Sequence, residues 1–283
     1  RMFAVRAWIN GIFHSEVDMK RLILSLLISL TSLSLQADVA VLVHGYLGSA
    51  YSWQHSGVNA ALTSHGWQPA GIITPRGLLP APVGSAENKF YTVELPSMGP
   101  VGLQADMLRN MLGLVTQQHP EEPIILVGHS AGGVIARMAL VQGGVDTPKA
   151  LITIASPHLG TVRAVEALDE TDDPFPISVI KEFFTGEIYD VVRDSWAVLL
   201  DLVPERPGNL LFWLNRQPHP SIRYVSIVRT GPVGLGDELV PAFSQDMNNI
   251  QALNGRSETR LFSVSHALQP LDGRVLVELL AEL

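Results

Sequence analysis

Residues 128–132 read Gly-His-Ser-Ala-Gly. A serine hydroxyl is a poor nucleophile at neutral pH. It becomes useful when a base takes its proton and fixed donors hold the oxyanion that forms on the attacked carbonyl, so the chemistry on offer is acyl transfer. The pentapeptide alone is a weak signal, and its surroundings carry more. Ile124, Ile125, Leu126 and Val127 form a short, continuous apolar run before it, as in a strand buried on both faces. Val134, Ile135, Met138, Ala139 and Val141 follow at helical spacing, and Gly143 and Gly144 give a stop. Ser130 therefore falls on a strand-to-helix turn. Gly128 and Gly132 remove the β-carbons that would clash there, and the helix N-terminus favours a developing negative charge. An ordinary tight turn is the plain alternative.

A nucleophilic serine needs a base and an acid, and in open α/β sheets sites form beyond the carboxyl ends of strands. His266 closes the run Leu-Phe-Ser-Val-Ser-His, read as a strand over 260–266. Asp237 lies in the loop after a strand read over 222–230. The remaining histidines have other readings. His14 lies in the leader. His55, His65 and His119 sit in or at the ends of helices, exposed to solvent. His129 flanks the serine and points elsewhere, His44 braces the loop after the first strand, and His219 stands between two prolines. His158 packs under the site, with a role as ligand or base as the lesser alternative. Glu238 and Asp246 compete with Asp237 as the acid, and Asp237 itself has a solvated loop carboxylate as its plain alternative.

Four segments together resemble the bacterial secreted triacylglycerol lipase and esterase branch of the α/β-hydrolase superfamily. They are VLVHGYLGS (41–49), ILVGHSAGG (125–133), TIASPHLGT (153–161), and the pair GDELVP (236–241) with VSHAL (264–268). The resemblance implies an α/β-hydrolase fold: a mostly parallel central sheet, helices on both faces and a helical cap or lid insertion. It implies a triad of Ser130, Asp237 and His266, with an oxyanion hole of the backbone N–H groups of Tyr46 and Ala131. It implies no cofactor. Several such lipases bind calcium through an aspartate two residues after the catalytic histidine. Leu268 stands there, and Asp272, the next carboxylate, reads as a helix N-cap, so no metal site of that kind is expected.

The wider chain must position these groups. It has 283 residues, a formal net charge of −8 and no cysteine. The acidic balance excludes a nucleic-acid partner, and the lack of cysteine excludes disulfides and thiolate chemistry. Charged residues make up 16%, below the usual quarter or so, and leave apolar surface for a lipid-handling role. Met19-Lys20-Arg21, then the uncharged run Leu22–Leu35 and Ala37, read as a secretory signal. Residues 1–37 are thus expected to be an upstream segment and a cleaved signal, and the protein to be secreted or periplasmic. Residues 38–283 then form one α/β domain of alternating strands and helices. Residues 161–220 break the rhythm and read as a cap or lid, with Ile177, Phe184, Val191, Trp196, Leu199, Leu200 and Val203 on its inner face and an ordinary pair of crossover helices as the alternative. The expected function is a lipase-like serine carboxylic-ester hydrolase acting on a small acyl ester or lipid, with transient contact to a lipid surface. An acyltransferase or thioesterase on the same scaffold is the alternative, and a non-catalytic binding protein the lesser one. Oligomeric state is left open.

Overall fold

A computed structural model describes residues 37–82, 84–169 and 194–283. The aliphatic runs read from the sequence become the centre of an eight-stranded sheet. β1 (Val39–Val43), β4 (Asn88–Val93), β5 (Ile124–His129), β6 (Pro148–Ile154) and β7 (Arg223–Arg229) lie between β2 (Trp67–Thr74) and β3 (Gly77–Pro80) on one side and β8 (Ser257–Phe262) on the other, in the order β3-β2-β4-β1-β5-β6-β7-β8. Every neighbouring pair is parallel except β2 with β3.

Alternation along each strand divides the core in two. Val39, Val41, Val43, Ile124 and Leu126 face one side, against α3 (Val101–Gln118) and α4 (Ala131–Val141). Ala40, Leu42, Ile125 and Val127 face the other, against α2 (Val58–Ser64) and α9 (Pro270–Ala281). Burial on both faces explains why these strands read as unbroken apolar runs. The expected mostly parallel sheet with helices on both faces is the one observed.

Several boundaries differ from the sequence reading. The segment 51–66, whose apolar spacing suits a single helix ending at Gly66, is two pieces, α1 (Ser52–His55) and α2, because Gly57 adopts a left-handed conformation with φ of 83°. The stretch after Pro75, whose Pro and Gly content reads as a loop, contains β3, an edge strand paired antiparallel to β2. β8 ends at Phe262, so His266 lies in the connection to α9 and not on the strand. In α3, Leu108, Leu112 and Val115 are buried as the periodicity requires, but Leu103 faces solvent.

The interval 161–220 holds α5 (Val162–Asp169), α6 (Trp196–Asp201) and α7 (Leu210–Leu214), with no strand among the described residues. Of the proposed inner face, Leu199 and Val203 are buried, whereas Trp196 and Leu200 are exposed. α8 (Ala242–Gln245) follows β7. Residues 170–193, with most of the expected lid face, and the expected signal segment lie outside the described residues.

Burial sorts α3 energetically. Leu112→Ala, at a fully buried position, is expected to cost about 2–5 kcal/mol in urea unfolding. Leu103→Ala, half exposed, is expected to cost about 0.5 kcal/mol or less.

Candidate active site

The chain reverses at Ser130, which has φ of 52° and ψ of −128°, a conformation that L residues rarely adopt. Two backbone hydrogen bonds hold it there: Ser130 N–H donates to the carbonyl of Ile154 (2.8 Å), and Gly133 N–H donates to the carbonyl of Ser130 (3.0 Å). The flanking glycines answer to contact. A β-carbon on Gly132 would lie 2.4 Å from the carbonyl oxygens of Val43 and His44, and one on Gly128 would lie 2.4 Å from Cα of Gly133. The end of β1 and the start of α4 therefore meet with no side chain between them.

This meeting presents donors. Ala131 and Tyr46 make no hydrogen bond through their backbone N–H groups to any described residue. The Tyr46 loop is braced from behind by His44, which is fully buried. His44 Nδ1 donates to the carbonyl of Gly45 (3.0 Å), and Nε2 accepts from the N–H of Leu95 (3.1 Å). Burial lowers the His44 pKa against the opposing pull of the Gly45 bond and of Glu94, and this pair of bonds requires the neutral ring.

His266 stands over the elbow. Its Nε2 is 2.9 Å from Ser130 Oγ, and its Nδ1 is 3.0 Å from Asp237 Oδ2. The Asp237 side chain is wholly shielded from solvent. Oδ1 accepts from the N–H groups of Leu239 (2.8 Å) and Val240 (2.7 Å), and Oδ2 also accepts from Gln245 Nε2 (3.1 Å). Burial alone would raise its pKa. The hydrogen bond and charge of His266, with the bonds from Val240 and Leu239, outweigh burial and hold the carboxyl below its usual range. The three residues singled out in the sequence thus form one hydrogen-bonded chain.

The competing acids are engaged elsewhere. Asp246 Oδ1 caps the N–H of Asn248 (2.9 Å). Glu238 Oε1 accepts from the backbone N–H of His266 (3.0 Å). Asp272 forms a capping box with Gln269 at the start of α9 and a buried ion pair with Arg229. Among the described residues no group of three or more His, Asp or Glu is arranged to hold a metal ion.

Three features went unread in the sequence. His129, expected to turn away from the site, donates from Nε2 to the carbonyl of His266 (2.9 Å), and the two rings lie 5.2 Å apart. Gln245 links the acid to β7: its Oε1 accepts from the N–H of Arg229 (2.7 Å) while its amide reaches Asp237. Arg229 and Asp272 form a wholly buried pair joining the end of β7 to the helix that follows His266. Two of them join residues 137 and 43 apart in sequence, and no local pattern announces any of the three. His158 is fully buried as expected, with Nε2 3.2 Å from Thr153 Oγ1.

A parallel sheet wound on both sides, with a serine on the sharp turn after a central strand, defines the α/β-hydrolase class. The family profile described as Alpha/beta hydrolase family matches residues 40–277, and the chain belongs to that family. Its fold is similar to that of the mature Bacillus licheniformis lipase BlEst2 (TM-score 0.61, 14% identity, 88% of this chain and 92% of that one). It is similar as well to the thioesterase RedJ of the Streptomyces coelicolor prodiginine pathway (TM-score 0.55, 17% identity, 88% and 92%). A lipase-esterase related protein from Clostridium acetobutylicum also shares it (TM-score 0.52, 14% identity, 87% and 93%). At these identities the likeness is one of fold. No curated protein matches the sequence.

The buried histidines make stability depend on pH. Burial is the first cause that lowers the pKa of His44, His158, His129 (to about 3) and His219 (to about 4) from the ordinary 6.5. The unfolded chain therefore binds more protons than the fold below pH 6.5, and unfolding free energy falls as pH drops through that value. His44 and His158, both 0% exposed, should each contribute a slope of up to about 1.4 kcal/mol per pH unit. Urea unfolding at successive pH values below 6.5 reads this slope, and a flat profile would mean that these rings ionise inside the fold.

Proposed function

We propose that the protein is a serine carboxylic-ester hydrolase of lipase type, cleaving acyl esters through an acyl-serine. The observation that carries this reading is the chain Ser130 Oγ–His266 Nε2 (2.9 Å) and His266 Nδ1–Asp237 Oδ2 (3.0 Å), set beside the N–H groups of Ala131 and Tyr46, which bond to no described residue.

Ser130 Oγ attacks the ester carbonyl while His266 takes its proton at Nε2. Negative charge gathers on the former carbonyl oxygen, where Ala131 and Tyr46 offer backbone N–H groups and the N-terminus of α4 adds its dipole. Asp237 stays ionised and stabilises the imidazolium. Collapse breaks the bond to the leaving alcohol, which takes the proton from Nε2. Water then enters, gives a proton to His266 and attacks the acyl-serine. The second collapse returns the proton to Ser130 and releases the acid.

The lipid part of the reading rests on surface. Val233 and Leu235 on the acid loop are 77% and 76% exposed, and Phe243, Trp196 and Leu200 are exposed as well. An open cavity of about 270 Å³ beside that loop is lined in part by Leu159, Val162, Pro241 and Phe243. Apolar groups of this kind suit an acyl chain or a lipid surface. A cap formed from 161–220 is part of the same proposal. So is export with cleavage after Ala37, which would leave β1 tethered: Asp38 N–H donates to Asn88 Oδ1 (3.0 Å), and its carboxylate bonds Lys149 (2.7 Å). Thioesterase or acyltransferase chemistry uses the same acyl-serine, and trapping the acyl group with an added alcohol separates transfer from hydrolysis.

The test is turnover of p-nitrophenyl esters from acetate to palmitate. Ser130→Ala should lose roughly 10⁴-fold or more in kcat with its fold intact. A fluorophosphonate should add one covalent mass, on the peptide containing Ser130. Labelling of another serine would overturn the assignment.

The acid has its own test. Asp237→Asn should lower kcat by up to about 10⁴-fold by disturbing the His266 tautomer. Asp246→Asn, which alters only a turn cap, should stay within a few-fold, and the reverse order would exclude Asp237.

A further inference from the structure

His266 sits in the connection between β8 and α9, outside any helix or strand. Such a segment does not by itself hold a side chain in one place. The bonds from its imidazole to Ser130 and Asp237 orient the ring only if the peptide carrying the ring is fixed. Both polar groups of the His266 backbone are bonded to side chains. Its N–H donates to Glu238 Oε1 (3.0 Å), and its carbonyl accepts from His129 Nε2 (2.9 Å).

The origin of these two side chains is specific. His129 immediately precedes Ser130, and Glu238 immediately follows Asp237. Each loop that gives a group to the His266 ring thus gives its next residue to the His266 backbone. The base is tied to the nucleophile loop and to the acid loop twice over.

We propose that His129 and Glu238 form a clamp on the His266 peptide that sets its imidazole between Ser130 and Asp237, and that both are positioning residues for the reaction. The proposal rests on the ester-hydrolase reading for its effect on rate, but the clamp itself is independent of substrate.

The clamp is built to carry no proton of its own through the reaction. His129 Nε2 must bear the hydrogen, because a carbonyl only accepts. Burial, followed by repulsion from His266 and Arg229 and against the pull of Asp237, keeps the His129 ring neutral by lowering its pKa to about 3. A cationic donor at this place would oppose the imidazolium that forms 5.2 Å away, centroid to centroid, on His266. A neutral donor holds the peptide without that penalty.

The experiment compares removal with conservative replacement at both ends. His129→Phe removes the donor at similar volume, and His129→Gln restores an amide donor. Glu238→Ala removes the acceptor, and Glu238→Gln restores a neutral one. Each variant is read by kcat and KM on p-nitrophenyl butyrate, by melting temperature, and by the downfield Nδ1–H proton resonance of His266. His129→Phe and Glu238→Ala should lower kcat about 10–100-fold, the scale of a small misplacement, with KM changed little, and should broaden or abolish the resonance. His129→Gln and Glu238→Gln should recover most of both. If His129→Phe fails to fold, the Glu238 pair decides. An unchanged resonance and kcat in folded His129→Phe and Glu238→Ala would overturn the clamp, and so would a Glu238→Gln variant as impaired as Glu238→Ala. A resonance that responds as expected in a protein that hydrolyses no ester would leave the clamp standing and overturn the ester-hydrolase reading instead.

Discussion

The site depends on one steric constraint: the carboxyl end of β1 and the first turn of α4 touch backbone to backbone. A β-carbon on Gly132 would fall 2.4 Å from two carbonyl oxygens of the β1 end, and one on Gly45 would fall 2.8 Å from Ser130 Cβ. With no side chain allowed between them, the N–H groups of Ala131 and Tyr46 are left unclaimed by any described residue at the same edge of the sheet. These N–H groups are thus a by-product of close packing, fixed by the fold itself. The same contact compels the chain to leave β5 abruptly, and this raises Ser130 above the sheet.

His266 and Asp237 reach Ser130 from the other side, on loops that follow β8 and β7. Those loops are anchored by buried polar groups. Gln245 ties Asp237 to the backbone of Arg229, and Arg229 pairs with Asp272 at the head of α9. A buried ion pair contributes little net stability against apolar replacements, but breaking it is costly, so it specifies geometry more than it stabilises. The chain binds these loops without a disulfide, since it has no cysteine.

Much of this was legible in the sequence for a physical reason. Strands buried on both faces must be apolar throughout, so β1, β5 and β6 stood out. The elbow required small residues at fixed offsets around Ser130. The order of Ser130, Asp237 and His266 followed from looking just beyond strand ends, and the structure brings all three together. What escaped notice was tertiary. β3 hid in a stretch rich in Pro and Gly because an edge strand needs only one partner and little apolar pattern. One left-handed glycine, Gly57, split a segment whose apolar spacing read as continuous helix. The bond from His129 to the His266 carbonyl joins residues 137 apart in the chain, and neither residue type nor spacing points to it. Trp196 and Leu200, read as part of an inward cap face, are exposed among the described residues, because apolar character by itself does not say which way a side chain faces.

The backbone conformation of Ser130 has a consequence for how this protein could change. At φ of 52° any residue with a β-carbon is held in an unfavourable region, at a cost of order 1–3 kcal/mol. Glycine alone would relax there, and its extra freedom in the unfolded chain offsets only about 0.4–1 kcal/mol of the gain. On backbone strain alone, a Ser130→Gly protein would therefore be the more stable. Serine at 130 is the residue that folding by itself would discard. Selection for backbone relaxation alone would accordingly drift away from Ser130, the nucleophile of the proposed reaction, at the centre of the elbow.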